Sequence, residues 1–137
     1  RENAKLNGLE NAPIRWILDD AQKFVEREAK RGVQYDGIIL DPPSFGRGAK
    51  GEIWKIEKDL LPLLQNIKNI LKPSFNFILL NGYASGYTSL AYAELLASVF
   101  GYAIKEIEYG ELAIEEQNAR KFKLPAGIYA RWARVDH

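Results

Sequence analysis

The 137-residue sequence has no cysteine and no methionine, and its one histidine is the final residue, His137. Without cysteine there can be no disulfide, no thiolate metal ligand and no cysteine nucleophile within this chain. A single terminal histidine excludes a histidine metal cluster and a Ser-His-Asp triad built from these residues alone. Charge of one sign is lacking too. The 19 Lys and Arg residues against 18 Asp and Glu leave a formal +1, so any case for nucleic-acid binding must be local. No apolar run approaches the ~20 residues a transmembrane helix needs. The opening Arg1-Glu2-Asn3-Ala4-Lys5 has no apolar signal core, so the expectation is a cytoplasmic protein with no membrane and no metal partner. Residues 1–7 read as the tail of a helix closed by Gly8. A domain seldom opens that way, and the expectation is a fragment of a larger domain.

What is present is an alternation of strand and helix signals. Ile14-Arg15-Trp16-Ile17-Leu18 is rich in β-branched and aromatic residues and reads as a strand stopped by Asp19-Asp20. Over residues 21–30, Ala21, Phe24, Val25 and Ala29 recur at helical spacing, and Gly32 follows as a stop. Residues 35–40 contain Gly37-Ile38-Ile39-Leu40, an almost continuous apolar run of the kind buried on both faces of a parallel sheet. A polar loop is expected over residues 41–55. Asp59 then reads as an N-cap, with Pro62 in the first turn and Leu61, Leu64, Ile67 and Leu71 on one stripe. A buried strand over 75–80 ends at Asn81-Gly82. A helix over 89–100 follows, with Leu90, Ala93, Leu96, Ala97 and Phe100 inward and Gly101 as its stop. Two strands, 103–109 and 128–135, close the chain across a long loop at 110–127, and that pair is expected to be antiparallel. The order implies an α/β fold with a mostly parallel sheet.

In open parallel sheets ligands sit beyond the carboxyl ends of the strands. Those ends carry Asp19-Asp20, Asp41-Pro42-Pro43-Ser44-Phe45 and Asn81-Gly82-Tyr83. Two consecutive prolines remove two backbone donors, and Pro43 restricts Pro42 to an extended conformation. Fixed, unpaired carbonyls beside the Asp41 carboxylate would suit a planar amino group as their hydrogen-bond donor. The neighbouring Arg47-Gly48-Ala49-Lys50-Gly51-Glu52-Ile53-Trp54-Lys55 combines cations, glycines and an aromatic. It could grip phosphates and stack a base, or it could be a solvated loop whose Trp54 packs on the sheet.

Leu40-Asp41-Pro42-Pro43-Ser44-Phe45-Gly46-Arg47-Gly48 resembles motif IV of the class I S-adenosylmethionine-dependent methyltransferases, in the Asp-Pro-Pro-x-Phe form of bacterial ribosomal-RNA enzymes. Asp19-Asp20-Ala21-x-x-Phe24 resembles motif III of that family. Leu124-Pro125-x-Gly127-x-Tyr129-x-Arg131-Trp132 resembles its closing strand, and residues 1–9 resemble the helix after its second strand. The resemblance implies a Rossmann-like sheet, mostly parallel with the last strand antiparallel, of which residues 1–137 would be the C-terminal part. The N-terminal strands, including the glycine-rich cofactor loop, would lie in a missing N-terminal portion of the same domain. Gly46-Arg47-Gly48 cannot substitute for that loop, because it does not open a helix directly after a first strand.

On the resemblance, S-adenosylmethionine is the cofactor, its adenine amino group met by Asp20 or Asp19 and its ring by the Ala21 backbone. Asp41, Pro42 and Pro43 would line the methyl-transfer site, with Asp41 also near the cofactor. Ser44, Phe45, Arg47, Lys50 and Trp54 would hold the substrate, with Phe45 stacked on a target base. The implied substrate is RNA, most simply ribosomal RNA. Ser44 stands where amino-methyltransferases carry their aromatic, which tells against an exocyclic amine as methyl acceptor. The lack of cysteine tells against the cytosine-C5 route. Two other readings remain open: a non-catalytic half or remnant needing a separate N-terminal segment, and a Rossmann-type dinucleotide-binding protein.

Overall fold

The computed structural model describes residues 1–48, 51–83, 86–118 and 120–134. Its elements are α1 (Glu2–Leu6), α2 (Ala21–Lys30), β1 (Gly37–Leu40), β2 (Phe45–Arg47), β3 (Ile53–Lys55), α3 (Ile56–Lys68), β4 (Phe77–Gly82), α4 (Ser89–Phe100), a 3-10 turn (Ile104–Glu106), β5 (Glu108–Glu115) and β6 (Lys123–Ala133). Four strands form one sheet in the order β1-β4-β6-β5, while β2 and β3 make a separate two-stranded ribbon. Strands β1 and β4 pair in parallel, and β6 pairs antiparallel with both β4 and β5. Three strands therefore run one way, and the last is inserted between two of them in the opposite sense. This is the α/β sheet expected from the sequence. Among the described residues, no helix is long and apolar enough to cross a membrane.

The core lies between the helices and one sheet face. Leu60, Leu63, Leu64 and Ile67 of α3 are buried at i, i+3, i+4 and i+7, and they pack with Ile78, Leu80, Ala130, Tyr92 and Leu96. Each such side chain contributes about 1.5–3 kcal/mol. That sum offsets Pro62, which stands inside α3 rather than in its first turn and costs about 3 kcal/mol there. The expected cap is displaced for a related reason. Helix α3 begins three residues before Asp59, at Ile56, because Ile56 and Leu60 are both drawn into the core. Asp59 reaches back instead, its Oδ2 accepting from the Lys55 backbone N–H at 2.7 Å. The apolar stripe turns with it, so Leu61 is exposed; on α4, Leu90 is likewise exposed, and Tyr92 takes the inward place.

Helices α2 and α4 have the bounds expected from periodicity and their stops, with Gly32 and Gly101 at φ 68° and 80°. Other segments differ. Residues 14–18 run without regular structure. A strand exists only when a neighbour takes up its hydrogen bonds, and none pairs here among the described residues; Ile14, Trp16, Ile17 and Leu18 are left exposed. Strand β1 is covered on one face only, for Ile39 is 65% exposed. The polar loop at 41–55 folds into the β2–β3 ribbon, Phe45 opposite Lys55 and Arg47 opposite Ile53. The expected strand at 103–109 opens with the 3-10 turn. The long loop at 110–127 is instead mostly strand, β5 and β6 pairing from Glu108–Arg131 to Glu115–Lys123. The final antiparallel pair is as expected, and residue 135 lies outside the described residues.

A buried carboxylate ties α2 to the sheet. Glu28 is 3% exposed and accepts from the Tyr35 hydroxyl at 2.7 Å and from Arg31 at 3.3 Å. Tyr35 in turn bridges to Leu71 by backbone pairing. The Tyr35 hydroxyl, then the Arg31 cation, hold the Glu28 carboxyl below its ordinary value of 4.5 against the opposing effect of burial. A depressed carboxylate gives stability that is fully present above the ordinary value and lost as pH falls through the lowered one. Thermal unfolding followed from about pH 5 to pH 3 should therefore show a steeper loss in the wild type than in Glu28→Gln. Parallel curves would mean that the contact adds nothing.

Candidate functional site

The carboxyl ends of β1 and β4 lie side by side, since Leu40 pairs with Leu80. Beyond them, Asp41, Pro42, Pro43, Ser44, Phe45 and Tyr83 enclose an open cleft of about 520 Å³. Pro42 is buried and anchors the segment, while Asp41, Pro43, Ser44 and Phe45 are exposed. The loop is held at several points. The Trp54 indole N–H donates to the Pro43 carbonyl at 2.7 Å, the Ile56 N–H donates to the Ser44 carbonyl at 3.1 Å, and the Ser44 hydroxyl donates to the Tyr83 carbonyl at 3.4 Å. The Pro43 carbonyl is thus not the free acceptor that the sequence suggested. A tryptophan eleven residues on occupies it, a contact created by the β2–β3 ribbon and invisible in the local sequence.

The sequence-predicted residues divide into two groups. Asp41, Pro42, Pro43, Ser44 and Phe45 share the cleft. The Phe45 ring is 50% exposed, with the Arg47 guanidinium 6.0 Å from its centre. Trp54 is half-buried against the core and braces the loop from behind. Lys50 lies outside the described residues. Asp19, Asp20 and Ala21 are gathered at the start of α2. Asp20 caps that helix, its Oδ1 accepting from the Lys23 N–H at 2.9 Å. Asp19 Oδ2 accepts from Arg27 at 2.5 Å, and this guanidinium holds the Asp19 carboxyl below its ordinary value. An ion pair from Lys23 to Glu52, at 2.5 Å, joins the start of α2 to the ribbon segment.

A second cleft of about 630 Å³ adjoins the first and shares Ser44 and Tyr83 with it. Gly82, Glu111, Pro125, Gly127 and Ile128 complete its walls. Sequence reasoning placed Gly82 at a strand end facing the ligand crevice, but assigned Glu111, Pro125, Gly127 and Ile128 to no site. Gly127 was legible only as part of a closing-strand pattern. Its role is steric: at φ 113° a Cβ would stand 2.6 Å from the Gly82 carbonyl oxygen, so two strands meet there backbone to backbone. Behind Gly82 lies the Tyr92 hydroxyl, buried with no hydrogen-bond partner among the described residues. Burial pushes that hydroxyl above its ordinary value. Among the described residues no cluster of His, Asp or Glu could hold a metal ion.

Comparison with known proteins places this geometry. No protein-family model matches the chain. It is 33% identical over 82 residues to the ribosomal RNA large subunit methyltransferase K/L of Pseudoalteromonas translucida, covering 59% of this chain and 11% of that protein. It is 38% identical over 45 residues to the ribosomal RNA large subunit methyltransferase I of Aeromonas hydrophila, covering 33% of this chain and 11% of that one. In structure it matches a SAM-dependent methyltransferase from Agrobacterium tumefaciens with a TM-score of 0.82 and 36% identity, over 96% of this chain and 44% of that one. The chain therefore spans about a tenth of the length of these curated relatives and under half of the solved chain.

Proposed function

We propose that this chain, whose sequence and fold are those of the class I S-adenosylmethionine-dependent methyltransferases, is the C-terminal part of one catalytic domain that methylates a base of ribosomal RNA. The observation that carries this reading is the cleft of Asp41, Pro42, Pro43, Ser44, Phe45 and Tyr83 at the carboxyl ends of two parallel strands. Residues 1–137 supply the target side and the adenine side of the domain. The remainder would add the methionine and ribose contacts and cover the exposed Ile39 edge of β1. Ribosomal RNA as substrate is supported by the names of the relatives, and a cytoplasmic location goes with it.

The start of α2 fits an adenine. The Ala21 N–H is among the first-turn amides that a helix leaves unpaired, and no hydrogen bond from it occurs among the described residues. Beside it the Asp20 carboxylate has used one oxygen on Lys23, leaving the other to accept. A donor next to an acceptor matches adenine N1 and its amino group. When bound, S-adenosylmethionine supplies a methyl group on a sulfonium, whose positive charge already makes it reactive. The task left to this chain is to position the base and exclude water. Asp41 orients the base, Phe45 stacks on it, and Trp54 keeps the Pro43 segment in place. Arg47, with Lys50, meets phosphate.

Asp20 caps α2, so a simple deletion confuses cofactor loss with helix loss. The two separate in a pair of variants of the full-length protein. Asp20→Ala should weaken S-adenosylmethionine binding by about 1.5–3 kcal/mol, the scale of a hydrogen bond to a charged group, and cost about 1 kcal/mol of stability as a lost cap. Asp20→Ser keeps a capping oxygen but is too short to reach the adenine. It should lose the affinity and retain the stability. Calorimetry showing normal cofactor affinity in both variants would remove Asp20 from the site.

A further inference from the structure

We propose that the 630 Å³ cleft beside the methyl-transfer cleft is a second nucleotide subsite, which takes the base next to the target and reads an exocyclic amino group on it through Glu111. The inference rests on the RNA-methyltransferase reading above and deepens it.

Three observations converge. The two clefts share Tyr83 and Ser44, and the Tyr83 side chain is 77% exposed between them. An aromatic ring between two base-sized spaces is placed to stack on one or both bases of a splayed single strand. The second cleft is otherwise lined by Gly82, Pro125, Gly127 and Ile128, a smooth and mostly apolar wall suited to the flat face of a base. Its volume lies within the ~300–1,000 Å³ of small-ligand sites.

The third observation is the state of Glu111. The other acidic residues along this hairpin each face a cation: Glu108 meets Arg131, Glu115 meets Lys121 at 3.5 Å, and Glu116 meets Arg120 at 3.9 Å. The Glu111 carboxylate alone among them has no ion pair or hydrogen bond among the described residues, and Glu111 lines the cleft as well as the open sheet face. A bare carboxylate beside a phosphate backbone is repulsive unless something compensates it. An amino group on a base edge does so directly, because a carboxylate only accepts. Adenine, cytosine and guanine carry such a group, and uracil does not.

The test uses the full-length protein with labelled single-stranded oligo(A), oligo(C) and oligo(U). The wild type should bind oligo(A) or oligo(C) about ten-fold tighter than oligo(U), the scale of one base-edge contact. Glu111→Gln should bring that ratio close to one, since an amide can also donate to a uracil carbonyl. Tyr83→Ala should weaken all three by roughly ten-fold or more, without changing the ratio. A ratio unchanged in Glu111→Gln, or equal tightening on every oligonucleotide, would show that Glu111 is only a repulsive surface charge and overturn the subsite. If the wild type binds no oligonucleotide while still binding S-adenosylmethionine, the RNA reading itself fails, and the subsite with it.

Discussion

Alanine at position 41 should lower methyl-transfer turnover of the full-length protein by at least about 100-fold, the scale of a mispositioned reactant. Cofactor affinity should change by less than about ten-fold, the scale of one neutral hydrogen bond. The asymmetry follows from how the Asp41 segment is held. Pro42 is buried on one side of Asp41, and the Pro43 and Ser44 carbonyls are pinned by Trp54 and Ile56. Asp41 therefore sits on a backbone with little freedom, in a cleft that Phe45 and Tyr83 also line. Removing the Asp41 carboxylate would leave the loop intact but, on the proposed function, deprive the target of its orienting acceptor. Loss of an interaction with the target lowers turnover, whereas loss of an interaction with the cofactor lowers its affinity. Steady-state kinetics and calorimetry on the same variant distinguish the two. Equal losses would make Asp41 a cofactor residue, and full turnover would remove it from the site.

The sequence was most legible where local chemistry and tertiary packing agree. Helices α2 and α4 could be bounded to the residue, because each has an amphipathic or apolar face and a glycine at positive φ just beyond its end; the side-chain caps from Asp20 and Thr88 reinforce those bounds in the structure. The strand-end motif at Asp41 was legible because two prolines in a row constrain the backbone whatever surrounds them. What failed depended on partners distant in sequence. Residues 14–18 have strand composition, yet pairing is not a property of one segment, and no neighbour pairs with them among the described residues. Helix α3 starts early because the core claims Ile56, an energy that no capping rule contains. The β5–β6 hairpin hid behind its charges. Glu111, Glu115 and Glu116 look like part of a solvated loop until Lys121 and Arg120 are seen facing the last two of them. The second cleft was hidden for the same reason, since its walls come from β4, β5, β6 and the loop after β1.

The contact between Gly82 and Gly127 makes the strongest structural prediction, because it is one place where two strands of the site touch through backbone alone. In Gly127→Ala the new methyl would stand 2.6 Å from the Gly82 carbonyl oxygen, and the residue would keep a φ of 113°. A non-glycine residue held in such a conformation costs about 1–3 kcal/mol. The clash adds to this, because the obstructing atom is backbone and cannot rotate aside. Relief requires the end of the β4–β6 ladder, where Gly82 pairs with Ile128, to part. Gly101→Ala provides the control, since Gly101 also has a positive φ of 80° but nothing within 4 Å of an added Cβ. It should lose only about 1 kcal/mol, the conformational penalty alone. Gly127→Ala should lose about 3 kcal/mol or more, at the upper end of ordinary single substitutions, and should reduce turnover as well by displacing Gly82 and, next to it, Tyr83, which both clefts share. Denaturant unfolding of both variants measures the difference. If the two glycines prove equally costly, the strands can part without penalty, and the close approach has no part in shaping the site.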